Sequence, residues 1–149
     1  MLNRLKVFFG DEAEPAAVDD EAALHLAAAV LLVQVAKSDH QIESLELERV
    51  KQVLRDQWSI DDADLTDLMA VADATTEEHV SLHAQVDRIN SSFSPTQKCS
   101  LVRGLWDVAC ADGEIHHYEE LLVRRLADLI YVPHADFIRT KHEALAAAR

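Results

Sequence analysis

The chain has 149 residues, enough for one domain with a real core, and its 49% hydrophobic content fits a globular protein. With 27 Asp and Glu against 14 Lys and Arg, its formal charge of -13 repels phosphate backbones and argues against nucleic acid as the main partner. Three Gly and three Pro are too few for a fold built on many tight turns, and the longest apolar run, Leu26 to Val33, falls well short of a membrane span.

Met1 to Phe9 reads as a short amphipathic stretch, with Leu2, Leu5, Phe8 and Phe9 apolar and Arg4 and Lys6 cationic. Such a stretch can touch a membrane surface weakly or dock onto protein. Gly10 to Asp20 reads as an acidic linker. The chain therefore divides into a segment plus linker, residues 1–18, and a helical domain, residues 19–149, opened by Asp19 as an N-cap. No secretory signal is visible, and the expected setting is the cytoplasm.

Long Ala/Leu-rich stretches with few breakers predict helices over about 20–37 and about 44–57. Ser59 or Asp61 caps a third, to about Ala74, and Thr75 or Thr76 caps a fourth, with Glu78 in its first turn and its end near Asn90. Ser94 followed by Pro95 starts a fifth that reaches Ala111, because proline at the first helical position lacks an amide hydrogen the helix does not use. A sixth covers His117 to Ile130. A last one, opened by Pro133, carries Phe137, Ile138 and Leu145. In the second helix Leu47, Val50 and Leu54 recur on one face beside Val53; in the sixth, Tyr118, Leu122, Leu126 and Leu129 are the expected buried stripe. The fold class is all-α, a helical bundle.

Laying the chain on itself at an offset of 73 residues matches Leu32, Val35, Ala36, Asp39, Ile42, Glu46 and Val50 with Leu105, Val108, Ala109, Asp112, Ile115, Glu119 and Val123. The shared pattern spans a helix end, a tight turn and the next helix start, which makes two pseudo-repeated helix-turn-helix hairpins. Gly113 can take the left-handed conformation that ends a helix. Ile115 would plug the turn into the core, and Glu119 meets the positive end of a helix dipole. Asp and Glu can serve here as helix caps alone. Their recurrence in both halves, where caps tolerate Ser, Thr or Asn, points instead to a role for charge itself.

The stretch Val108-Ala109-Cys110-Ala111-Asp112-Gly113-Glu114-Ile115, followed by Glu119, resembles the signature of the TerB (tellurite resistance protein B) family, and Val35 to Ile42, followed by Glu46, resembles a second copy in which His40 replaces the expected glycine. The resemblance covers about residues 20 to 145 and implies a duplicated all-helical fold, a cytoplasmic bacterial setting and an association with tellurite resistance or related stress. It also implies an acidic cation-binding surface and no established catalysis.

Four repeated carboxylates, Asp39, Glu46, Asp112 and Glu119, can supply oxygen ligands to calcium or magnesium if the two hairpins face each other, with Glu43 and Glu114 as additional donors. The spacing is not that of an EF-hand loop. The same acids can receive a basic peptide segment or a protein partner. His79 and His83 stand at a zinc-compatible spacing, but the glutamate precedes the pair, so the metalloprotease pattern is absent, and a solvated helix face accounts for them better. His116 and His117 lie near Glu119 and Glu120, at what reads as an exposed helix start. Cys99 and Cys110 fall on one expected helix, roughly 16 Å apart at the standard rise, too far to bridge. Both read as reduced, packed thiols. No phosphate loop, nucleophile elbow or CxxC motif supports an enzyme; a hydrolase or thiol enzyme would need a pocket that joins a cysteine to a histidine.

Overall fold

The computed structural model describes residues 17–37, 44–77 and 82–148, which form seven helices and no strand. In chain order these are α1 (Ala17–Ala36), α2 (Ser44–Trp58), α3 (Asp62–Glu77), α4 (Leu82–Ser92), α5 (Pro95–Ala109), α6 (His117–Leu129) and α7 (His134–Ala147). The bundle is all-helical, as the sequence predicts. Met1 to Phe9 and the rest of the linker up to residue 16 lie outside the described residues.

From Ala22 to Ala36, α1 is apolar nearly all round, so it must be surrounded rather than laid on a surface. It packs against α2, α3, α4, α5 and α6, and its residues from Leu26 to Val33 are wholly buried. The second buried helix is α5, which packs against α7, α2, α1 and α6 through Leu101, Leu105, Trp106 and Val108. Trp106 places its ring 5.1 Å from that of Phe137, and its indole N–H donates to the Phe137 carbonyl at 3.2 Å. That bond makes full burial of a tryptophan acceptable. Gly104 lets α2 approach: a Cβ there would stand 2.7 Å from Val53 Cγ1. No described helix is long and apolar enough to cross a membrane.

Local chemistry sets most helix ends. Asp61 accepts from the Asp64 amide at 2.9 Å and caps α3. Ser94 and Gln97 exchange side-chain and backbone bonds at 3.1 and 2.8 Å, a complete capping box, with Pro95 at the first helical position of α5. The fourth start differs from the expectation. α3 runs on through Thr75 and Thr76 to Glu77, and their hydroxyls turn back onto the Val71 and Asp73 carbonyls at 2.8 Å each. Lys37, at the end of α1, reaches the Asp73 carboxylate at 2.6 Å and the Thr76 hydroxyl at 2.8 Å, so a tertiary contact holds this turn helical. Glu78 and His79 lie outside the described residues.

The buried stripe of α6 is also rotated from the expected one. Glu119, Val123, Leu126 and Ala127 face inward, whereas Tyr118 and Leu129 are exposed. The inward face is the one the repeat marks, since Glu119 and Val123 match Glu46 and Val50, which are likewise buried on α2.

Candidate functional site

The second repeated turn joins α5 to α6. Cys110 ends α5, and its carbonyl accepts from the Gly113 amide at 2.9 Å. Gly113 has φ +93, and an added Cβ would meet no atom within 4 Å, so glycine serves the backbone rather than the packing. Asp112 folds back on the turn. One carboxylate oxygen accepts from the Glu114 amide at 3.1 Å, and the other lies 3.1 Å from His116 Nε2. Ile115 is half-buried against the core, as expected.

Glu119 stands in the first turn of α6, at the third helical position. It is 0% exposed, and its Oε1 accepts from the His116 amide at 3.2 Å. This is the glutamate half of a capping box, in which the side chain reaches back to the residue that precedes the helix. The positive end of the α6 dipole favours a carboxylate there. Its repeat partner Glu46 holds the same place in the first turn of α2 and is 3% exposed. The remaining members of the first turn, Asp39, His40, Ile42 and Glu43, lie outside the described residues. Among the described residues no group of three or more His, Cys, Asp or Glu is placed to hold a metal ion.

The repeat is therefore a core pattern as much as a surface one. Leu32, Val35, Ala36 and Val50 in the first copy, and Leu105, Val108, Ala109 and Val123 in the second, are all buried together with the two glutamates. The family model described as Tellurite resistance protein TerB matches residues 25–142. The chain belongs to the TerB family. The match takes in both repeated turns and reaches from α1 into α7. No curated protein and no solved structure matches the chain.

The other candidate groups of this TerB chain are dispersed. His83 is exposed and pairs with Asp87 at 3.2 Å on its own helix. The Cys110 thiol is buried and donates to the Trp106 carbonyl at 2.8 Å. Burial, with the Asp107 carboxylate adding, pushes that thiol up to about 11. Burial, the charge of Asp136 and a hydrogen bond to it raise the Cys99 thiol too. Neither is a ready thiolate. Cys99 opens onto a polar groove with Gln57, Thr96, Arg103, Arg139 and Glu143, whose lining holds no histidine. Sequence reading missed the charge network beside it, in which Arg103 pairs with Asp107 and Glu143, and Arg139 with Asp136 and Glu143, all at 3.0 to 3.3 Å. The i,i+4 spacings of Arg103 with Asp107 and of Arg139 with Glu143 were the available signal; the bond from α5 to α7 had none.

Proposed function

We propose that this TerB chain is a non-catalytic module that works by binding other proteins, and that the carboxylates of its repeated turns are built into its frame. The observation that carries this reading is Glu119, withdrawn from water and bonded to the amide that opens α6. Asp112 supports it, because both of its oxygens are engaged within their own turn. The protonated thiols support the absence of thiol or hydrolase chemistry. In this reading, which extends the family's description as a tellurite resistance protein, the module serves a tellurite-resistance or related stress system in the cytoplasm. The test compares wild type with Asp39→Asn/Asp112→Asn in pull-downs from an extract of the source cells. Retained partners with a lowered melting temperature are expected. Loss of the partners with unchanged melting would sink the reading.

A second reading has its own observation. Carboxylates at two repeat-related positions, Glu46 and Glu119, are drawn out of water, and a divalent cation stabilises buried carboxylates where it can reach them. Here Asp39, Glu46, Asp112 and Glu119 receive calcium or magnesium, or the ammonium groups of a basic peptide segment. Calorimetric titration with calcium, magnesium, manganese and zinc tests the metal form. No heat from the wild type, or equal binding by Asp39→Asn/Asp112→Asn, ends it.

A further inference from the structure

Of the five large apolar side chains that stand exposed among the described residues, three lie on the outward face of α6 and a fourth, Tyr131, follows at its exit with Lys98 5.7 Å from its ring. Tyr118, Leu121, Leu129 and Tyr131 are 69%, 49%, 39% and 76% exposed. Their spacing of three and four places Tyr118, Leu121, Arg125 and Leu129 on one stripe, with Arg124 and Asp128 beside it. Arg124 and Arg125 are exposed, and neither enters an ion pair among the described residues. Leu121 and Leu129 form the walls of a shallow groove that both arginines edge. An apolar patch with two cations, on a chain of charge -13, calls for an acidic occupant with apolar anchors.

A second copy fits poorly. An antiparallel pairing of two α6 helices that sets Leu121 against Leu129 of the other copy puts Arg125 on the axis, facing itself. The chain's own sequence supplies what the face lacks: Phe8-Phe9-Gly10-Asp11-Glu12-Ala13-Glu14 sets two aromatics ahead of three carboxylates. A series of contacts links the first half of α1 to the exit of α6. His25, more than two turns into α1, meets Trp58 at 6.4 Å, Trp58 meets Phe93 at 6.3 Å, and Asn90, one turn before Phe93, donates to the Leu129 carbonyl at 3.0 Å. The eight residues from Phe9 to Ala17 reach about 26 Å when extended, longer than the roughly 20 Å of α6 itself. Tethering supplies an effective concentration in the millimolar range, which two separate chains of like charge do not have.

We propose that the outward face of α6 is the docking surface for the chain's own segment Phe8–Glu14, with the aromatics on Leu121 and Leu129 and the carboxylates on Arg124 and Arg125. This contact lies apart from the acidic turns and does not rest on the function proposed above. Chymotrypsin cleavage at Phe8 and Phe9 in the full-length protein reads it directly, since a docked segment is cut slowly. Arg124→Glu/Arg125→Glu should speed cleavage at least about fivefold, the change expected when a contact of about 0.25 mM is lost at an effective concentration of about 1 mM. Asp11→Lys/Glu12→Lys/Glu14→Lys should do the same, and combining the two sets should restore slow cleavage. Leu121→Ser, which leaves the charges alone, should also speed it, and thermal melts confirm that each variant is folded. Equal rates for wild type and the arginine reversal, or no rescue by the combined reversal, would overturn the proposal. So would protection that grows with protein concentration, which assigns the face to a second copy.

Discussion

Replacing Glu119 with alanine removes the acceptor of the His116 amide at a residue that is 0% exposed. Orphaning a buried backbone donor costs about 1–3 kcal/mol. The space left by the carboxylate and its γ-methylene, closed by incomplete relaxation, adds about 1–2 kcal/mol. Together they come to about 2–5 kcal/mol, a large share of the total stability of about 5–15 kcal/mol typical of a domain. At about 2–4 °C per kcal/mol for a chain of this size, the melting temperature should fall by about 4–20 °C. Glu119→Gln keeps the shape and one acceptor oxygen, so it should stay within about 1 kcal/mol of the wild type. Thermal and urea unfolding of the three proteins, run with and without added calcium or magnesium, provide the assay. If glutamine proves as damaging as alanine, the charge rather than the acceptor is what the site needs. If alanine itself costs under about 0.5 kcal/mol, the buried cap contributes nothing and the reasoning fails.

Ser59 leaves α2 with φ 53, a conformation that costs a side chain about 1–2 kcal/mol, so Ser59→Gly should raise the melting temperature by about 2–4 °C; a fall would show that the serine makes a compensating contact. Gly104→Ala gains helix propensity but sets a methyl against Val53 Cγ1, and a net destabilisation of about 1–2 kcal/mol in urea is expected, relieved when Val53→Ala is added; no relief would place the strain elsewhere. Burial pushes the Cys110 thiol up to about 11 from its ordinary value of 9.0, so between those values the unfolded chain sheds its thiol proton first. The contribution is therefore intact below about pH 9 and is lost as pH rises towards about 11, by about 2–3 kcal/mol. Urea midpoints at pH 8 and pH 10.5 should show this extra loss in the wild type and not in Cys110→Ala.

The helices were legible because their ends carry local chemistry. Ser94, Pro95 and Gln97 form the start of α5 among themselves, and Asp61 needs only the amide of Asp64. Thr75 and Thr76 look like equally good caps in sequence, yet α3 passes through them. What decides is Lys37, which comes from α1 and reaches across to Asp73 and Thr76; no local window contains that contact. The candidate site divides in the same way. The spacing of Asp112, Gly113 and Glu119 marks a helix turn correctly, but the complete burial of Glu119 depends on α6 resting on α5 and α1.

The repeat outperforms apolar periodicity on α6, and the reason bears on what its acids are for. Counting apolar residues alone selects Tyr118, Leu122, Leu126 and Leu129, but two of these are exposed. The internal match selects Glu119 and Val123, both buried. A charged residue is a poor core candidate by hydropathy, so only recurrence could place it there. Recurrence also has a narrower cause than the breadth of helix-capping residues suggests. Ser, Thr, Asp and Asn all serve at the residue before a helix, but the third helical position, where the side chain must reach back to an amide, favours Glu or Gln. Two glutamates in matching third positions therefore follow from helix-end geometry before any ligand is invoked. The same rotation that draws Glu119 inward carries Tyr118, Leu121 and Arg125 outward, so the frame that hides the acid is also what exposes the basic, apolar face of α6.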